Sequence, residues 1–137
     1  MLIDGRGVPL AVAVDGANAH DQTLVENTLD AVAAERPEPT TRKKQHLCLD
    51  KGYTGEPVER AVRQRGYVPH VPVKGAVADR KQHPHGQARR WKVERTHSWV
   101  NRARRLLIRW EKKVDNYLAF LHLQFTITTL RIAGVLG

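Results

Sequence analysis

Short apolar runs alternate with amphipathic segments along the first half of the chain, and this order limits the fold more than any other feature. Pro9 to Val14, His46 to Leu49 and Tyr67 to Val73 are runs rich in strand-forming residues. Asp21 to Ala34 and Glu56 to Arg65 separate them and carry apolar residues at helical spacing. Because strands that alternate with helices pair in parallel and pack against those helices, the sequence predicts an α/β domain.

The predicted sheet has an unusually short beginning. Leu2 and Ile3 are a strand stub, and Gly5-Arg6-Gly7 is a turn signal that leads into the Pro9 to Val14 strand. A two-stranded hairpin of this size needs further strands beside it to be stable. We therefore expect an N-terminally truncated domain, or one that starts where a second reading frame begins.

Two long helices are predicted in the second half of the chain, after a polar loop over Gly75 to Gly86. The periodicity places them at Gln87 to Arg109 and at Asp115 to Ala133. The last helix is apolar on most sides, so it is expected in the core or against another chain. The sheet and the first helices are thus predicted to occupy residues 1–74, and the basic loop and two C-terminal helices residues 75–137.

The excess of positive charge is confined to one quarter of the chain. Residues 80–113 contain 12 of the 23 Lys and Arg but only 2 of the 14 Asp and Glu, a net charge of +10, whereas the remainder carries −1. Such a strip is typical of a protein that binds a polyanion, and the alternative is a solvated basic helix without a partner. Polar residues interrupt the longest apolar stretch, Tyr117 to Ile132, which argues against a membrane span.

Asp50 is the first candidate for a chemical role. It follows a predicted strand and precedes a glycine-containing turn, and sites in α/β proteins are built at the carboxyl ends of strands. Aspartate is also favoured in such places simply as a cap of the turn. Position alone leaves both interpretations open.

Glu94 is the second candidate, because it is an acid on the polar side of the predicted basic helix. Residues three and four positions away share its helix face. Arg90, His97 and Ser98 have this spacing, and Asn101 lies two turns further along the same face. One interpretation is an ordinary ion pair with Arg90, and the other is a metal ligand flanked by cations that hold DNA phosphates.

Three tryptophans accompany the basic helix. Arg and Trp together suit phosphate contact and base stacking. However, Trp99 and Trp110 fall on the apolar stripe of the predicted helix, which favours a place in the core, while Trp91 is left open.

At these residues the sequence resembles the catalytic domain of bacterial insertion-sequence transposases, which have a DDE triad and a ribonuclease-H-like fold. The matching segments are Asp4 to Leu10, Leu49 to Tyr53, Arg89 to Trp99 and Asn101 to Glu111. The resemblance covers nearly the whole chain. It implies a mixed sheet flanked by helices and a DNA strand cleavage and transfer activity.

The resemblance assigns two of the family's three acids to this chain. Asp50 corresponds to the second acid and Glu94 to the third, so both are expected to be catalytic and to bind metal. The family's first acid lies upstream of the segment that matches Asp4 to Leu10, and Asp4 itself belongs to the turn. We therefore expect this chain alone to be inactive or nearly so.

The family's signature around the third acid is matched in part. Arg90 stands at the signature arginine, whereas Gln87 replaces the usual tyrosine and Asn101 the usual lysine, with Arg102 beside it. The residues expected to contact DNA are Arg89, Arg90, Lys92, Arg95, Asn101, Arg102, Arg104 and Arg105.

The resemblance also implies ligands and partners. Mg²⁺ is the expected cofactor, with Mn²⁺ as a substitute, and the expected partner is DNA, both element ends and target. A homodimer or the product of an upstream frame is a further expected partner, and the implied location is the bacterial cytoplasm at the nucleoid. The rival functions are a non-catalytic DNA-binding remnant or competitor of the full-length transposase, and a resolvase-like nuclease of the same fold.

Overall fold

A computed structural model of the protein describes residues 1–16, 19, 21–72 and 90–136. In chain order its elements are β1 (Leu2–Ile3), β2 (Pro9–Ala11), α1 (Asp21–Asp30), β3 (Gln45–Cys48), a 3₁₀ turn (Lys51–Tyr53), α2 (Glu56–Gln64), β4 (Tyr67–His70), α3 (Arg90–Asn101), α4 (Arg104–Leu107) and α5 (Val114–Ile132). They fall into two units, Met1–Val14 with Ala88–Gly137, and Asp15–Gln87. The boundary expected between residues 74 and 75 lies outside the described residues and stays a prediction.

The Asp15–Gln87 unit contains the predicted parallel strand pair. β3 and β4 run parallel, in register from Gln45 opposite Tyr67 to Cys48 opposite His70. Helix α2 connects them and buries Val62 completely. Strand, helix and parallel strand in this order confirm the α/β class expected from the alternation of runs.

An arginine at the end of α2 ties α1 to α2. The Arg65 guanidinium binds both carboxylate oxygens of Asp30 at 2.7 Å, and it lies 3.5 Å from a Glu26 oxygen. Its hydrogen bonds hold the pKa of Asp30 below the usual value. On α2 itself, Glu59 and Arg63 are one helical turn apart and form an ion pair at 2.7 Å.

The other unit begins with the predicted hairpin. β1 and β2 are antiparallel, with Leu2 opposite Ala11. The Asp4 carboxylate closes the turn, because its Oδ1 accepts the backbone N–H groups of Arg6 and Val8 at 2.8 Å each. This is the side-chain mimicry of a backbone turn that aspartate commonly provides.

The single helix predicted from Gln87 to Arg109 is wrong. α3 ends at Asn101, and Ala103 takes an extended conformation (φ −77°, ψ 105°) before the short helix α4 begins. No glycine or proline marks this break, so local propensity predicted continuation. The break is accompanied by the burial of Leu106, which packs in one cluster with Val100, Leu121 and Phe125.

The last helix was predicted within one residue at each end. α5 runs from Val114 to Ile132, and Leu121 and Phe125 supply its buried face. Leu123 is 57% exposed, so the helix is not buried on all sides. None of the helices in the described part of the chain has the length and apolar character needed to span a bilayer.

The strands of the described residues form two sheets rather than one. Each sheet has two strands, β1 with β2 and β3 with β4, and each lies in its own unit. α1 is shorter than predicted, since it ends at Asp30, and β4 ends at His70, while Val73 lies outside the described residues. The mixed α/β character is therefore confirmed, and the ribonuclease-H-like arrangement stays a prediction.

The break after α3 can be tested by truncating the leucine that it accompanies. Leu106→Ala should lower the free energy of unfolding by about 2–5 kcal/mol, because Leu106 is 7% exposed and its removal leaves a cavity. Leu123→Ala, on the exposed side of α5, should change it by less than about 0.5 kcal/mol. Urea denaturation of both variants measures this, and equal effects would show that Leu106 is not in the core.

Candidate active site and nucleic-acid interface

Asp50 stands two residues after the end of β3, and it caps the 3₁₀ turn that follows. Its backbone is extended (φ −79°, ψ 165°), and its Oδ1 accepts the Lys51 N–H at 2.7 Å. Its carbonyl accepts the Tyr53 N–H at 3.0 Å, and the Leu49 N–H donates to the His70 carbonyl at 2.9 Å. The capping interpretation is thus observed. The same bonds hold an exposed carboxylate at the end of a parallel strand, as the catalytic interpretation requires.

Glu94 lies in an open depression of about 460 Å³ on the surface of α3. The depression is lined by Glu94, His97, Ser98, Asn101, Arg102 and Leu107. The first four share one face of α3, as their helical spacing predicted. Arg102 and Leu107 come from the chain that follows the helix, so the break after Asn101 contributes part of the lining.

His97 brings a neutral ring rather than a second cation to this depression. Partial burial lowers its pKa, and the positive charge of the Met1 ammonium lowers it further. The ring is therefore neutral at neutral pH and can donate or accept a hydrogen bond beside Glu94.

Side chains of α3 bind the hairpin turn at three consecutive carbonyls. The Lys92 ammonium donates to the Gly5 carbonyl, Arg95 Nη2 to the Arg6 carbonyl at 2.7 Å, and Thr96 Oγ1 to the Gly7 carbonyl at 2.9 Å. We call these three bonds the turn latch. Thr96 is fully buried.

The turn latch depends on a glycine. Gly7 has a φ of +93°, a conformation that L residues rarely adopt. A Cβ there would lie 2.9 Å from Arg95 Nη2 and 3.2 Å from Thr96 Oγ1. The close approach of the helix to the turn is therefore possible because residue 7 has no side chain.

Arg95 is also stacked between two tryptophans of its own helix. Its guanidinium lies 4.8 Å from the ring centre of Trp91 and 4.7 Å from that of Trp99. Residues 91, 95 and 99 follow each other at intervals of four, which places them in one row on the helix. The Arg95 guanidinium thus makes a cation–π contact with each of the two rings. Its Nε atom is buried and has no hydrogen-bond partner in the described part of the chain.

The structure gives different surroundings to the residues predicted to contact DNA. Lys92 and Arg95 bind the turn, whereas Asn101, Arg102, Arg104 and Arg105 are exposed. Arg105 lies 3.6 Å from a carboxylate oxygen of Glu111. Arg89 and the side chain of Arg90 lie outside the described residues. All eight DNA contacts stay predictions.

The core position predicted for Trp110 is wrong. Its side chain is 71% exposed, because α3 ends at Asn101 and the helical stripe does not continue to residue 110. Trp99 is half-buried, and Trp91 is 49% exposed. Leu107 and Ile108 are also exposed, at 59% and 58%.

Carboxylates are the ligands that Mg²⁺ prefers, so Asp50 and Glu94 fit the expected metal in kind. Glu94 belongs to the unit that contains α3, and Asp50 to the Asp15–Gln87 unit. Among the described residues, no three His, Cys, Asp or Glu side chains are grouped to hold a metal ion.

An α/β chain with a carboxylate after a parallel strand and another on a cationic helix has the features expected of a nucleic-acid-processing domain. Residues 47–131 match the family described as "Transposase DDE domain". The chain belongs to that family. Both Asp50 and Glu94 lie inside the matched range.

A curated relative supports the same family. The chain is 37% identical over 127 residues to a protein described as "Putative transposase for insertion sequence element IS402" of Burkholderia cepacia. The match covers 90% of this chain, and the chain spans 57% of the length of that relative. No solved structure was found that matches the chain.

The turn latch can be tested at its buried hydroxyl. Thr96→Val keeps the shape of the side chain but leaves the Gly7 carbonyl without its donor, so the free energy of unfolding should fall by about 1–3 kcal/mol. Thr126→Val is the matched control. Both hydroxyls donate to a carbonyl of their own helix, Thr96 to Lys92 at 3.0 Å and Thr126 to His122 at 2.9 Å, but Thr126 is exposed. Urea denaturation compares them, and equal stability of the two variants would contradict a stabilising latch.

Proposed function

We propose that the chain contributes to DNA strand cleavage and transfer as part of a transposase, with Asp50 and Glu94 as Mg²⁺ ligands. One observation carries the proposal: Glu94 is the acid of an open depression whose other lining is polar or cationic, apart from Leu107. A carboxylate that shares a depression with the guanidinium of Arg102 suits a site that must hold both a metal ion and the phosphates of DNA.

The metal would supply a Lewis acid that activates a water or a 3′ hydroxyl for attack on a phosphodiester. The chain's own contribution is to hold the two carboxylates on ordered backbone. Asp50 is fixed by its capping bonds, and Glu94 sits on a helix that the turn latch secures through Lys92 and Thr96.

DNA is proposed to reach the depression across the cations that follow α3. Arg102 and Arg104 are exposed, and neither side chain makes a hydrogen bond, ion pair or ring contact in the described part of the chain. Guanidinium groups without an internal partner are suited to phosphate oxygens. Element ends and target DNA are the proposed substrates, on a ribonuclease-H-like fold and with a homodimer or an upstream-frame product as partner.

A second candidate is a non-catalytic DNA-binding protein that competes with a full-length transposase. It is favoured by the exposed cations Arg102 and Arg104, because guanidinium groups bind phosphates without a metal ion. This alternative uses the same cations but makes binding independent of metal and of Glu94.

Phosphate contact can be tested through the salt dependence of duplex binding. The apparent affinity for B-DNA should fall as salt rises, and Arg102→Ala should reduce the log–log slope by about 0.9, the value for one phosphate contact. Arg60→Ala should leave it unchanged, because Arg60 is bound to Glu56 at 2.6 Å on α2. Fluorescence anisotropy at several salt concentrations measures both, and an unaltered slope in Arg102→Ala removes that residue from the interface.

The metal-ligand assignment can be tested with Mn²⁺ as an electron paramagnetic resonance probe on the DNA-bound chain. Asp50→Asn and Glu94→Gln should each weaken Mn²⁺ binding by about tenfold, since each removes a charged ligand. Asp15→Asn is a matched control, because Asp15 Oδ1 accepts the next backbone N–H at 2.7 Å just as Asp50 does.

The same variants separate the two candidate functions. Unchanged Mn²⁺ binding in both Asp50→Asn and Glu94→Gln, with DNA binding intact, would favour the non-catalytic protein. Mg²⁺-dependent nicking by the 137-residue chain that disappears in Asp50→Asn would show instead that two assigned acids suffice for cleavage.

A further inference from the structure

Apolar side chains are exposed where the chain passes from α4 to α5. Leu107, Ile108 and Trp110 are 59%, 58% and 71% exposed, and Val114 is 43% exposed at the start of α5. We call residues 104–114 the α4–α5 corner. Single exposed apolar residues are normal on a protein surface, whereas four of them within eight positions mark this segment as a candidate binding surface.

The charge around this surface argues against a second copy of the chain as the occupant. Residues 102–113 contain six cations and one acid, a net charge of +5. Two identical corners brought face to face would repel each other, because like charges in contact are costly. A polyanion is attracted to the same surface.

The backbone around Trp110 is held in place from both sides. Arg105 lies 3.6 Å from the Glu111 carboxylate, and Arg109 Nε donates to the Glu111 carbonyl at 3.4 Å. The Arg109 guanidinium also lies over the ring of Tyr117 on α5, at 5.2 Å. The neighbours of Trp110 are therefore fixed, which reduces the entropy lost when the residue binds a ligand.

Trp110 differs from the other two tryptophans in its surroundings. Trp91 and Trp99 stack on Arg95, whereas the Trp110 ring has no cation or aromatic ring against it within the described part of the chain. An exposed indole beside arginines and lysines can stack on a nucleic-acid base while the cations bind the phosphates.

Leu107 belongs both to the α4–α5 corner and to the depression that contains Glu94. It belongs to the exposed apolar group and also lines that depression, beside Arg102. The corner is therefore continuous with the proposed site of DNA cleavage, and DNA that reaches Glu94 passes next to it.

We propose that the α4–α5 corner binds an unstacked base of the DNA substrate, with Trp110 as the stacking platform and Leu107 and Ile108 as its apolar surroundings. The inference rests on the proposed function and adds to it a preference for DNA that contains an unpaired base. The faces of paired bases are covered within a duplex, so stacking on Trp110 requires a base freed at a strand end, a gap or a mismatch. Strand cleavage and transfer produce such ends.

The test compares anisotropy titrations with two matched DNA probes. One is a fully paired duplex, and the other is the same duplex with a three-nucleotide unpaired tail. The wild-type chain should prefer the tailed probe, and Trp110→Ala should weaken tailed-probe binding about 5- to 150-fold, the range for loss of one stacked base. Binding of the paired duplex should change little, and Trp110→Phe should restore most of the preference because it keeps an aromatic face.

Two controls make the result specific. Leu123→Ala removes an apolar side chain of similar exposure from α5 and should leave both affinities unchanged. Arg104→Ala should weaken both probes alike, since phosphate contact is independent of base pairing. Equal affinity of Trp110→Ala and wild type for the tailed probe would overturn the inference while leaving duplex binding, and with it the proposed function, intact.

Other occupants are distinguished by the same preparations. If the wild type binds neither probe, the proposed function fails and the inference fails with it. Sedimentation that shows a dimer in the wild type but a monomer in Trp110→Ala would assign the corner to a second copy of the chain and overturn the inference. The wild type could instead bind vesicles of anionic lipid more tightly than Trp110→Ala does and show no preference for the tailed probe. That result would assign the α4–α5 corner to a membrane surface and overturn the inference.

Discussion

The turn latch is the contact on which the arrangement of the candidate site depends. Lys92, Arg95 and Thr96 bind carbonyls of a turn that lies 87 to 89 positions earlier in the chain, and the bond of Thr96 is buried. Backbone carbonyls removed from water need such partners, so the hairpin and α3 stabilise each other. With 3.6 residues per turn, the latch residues occupy one side of α3, and Glu94 falls on the opposite side. One helix is thus anchored on one side and carries the candidate chemistry on the other.

Because of this division, the positive charges of residues 80–113 are not all equally available to a polyanion. Counted along the sequence, every Lys and Arg from residue 80 to residue 113 contributes equally to a polyanion-binding strip. In the structure, Lys92 and Arg95 are engaged with the turn, Arg105 and Arg109 are engaged with Glu111, and Arg102 is exposed beside the depression. Among the described residues, the cations available for the proposed DNA contact are therefore fewer than the sequence count, and they include Arg102 beside the depression and Arg104 in the α4–α5 corner.

The proposed roles of Asp50 and Glu94 agree with the family to which the chain belongs. The range that matches the transposase DDE domain begins before Asp50 and extends past Glu94 into α5. The two carboxylates occur on different elements, one after a parallel strand and one on a helix, and Asp50 caps the turn that follows its strand. Carboxylates that are positioned before metal binds lose less entropy when it does, which is what metal-assisted phosphoryl chemistry requires.

The sequence by itself determined the α/β class, the hairpin, the parallel strand pair, the limits of α5 and the family. These depend on hydrophobic period, turn residues and a long specific motif, all of which are local in the chain. Tertiary structure alone decided that α3 stops at Asn101, that Trp110 is exposed and that Lys92 and Arg95 bind a turn. No local signal marks the break, since local propensity favours a continuous helix. The interruption is accompanied instead by the burial of Leu106, a contact that forms only in the folded chain. The latch partners are almost ninety residues apart, and only the folded chain brings their carbonyls and donors within hydrogen-bond distance.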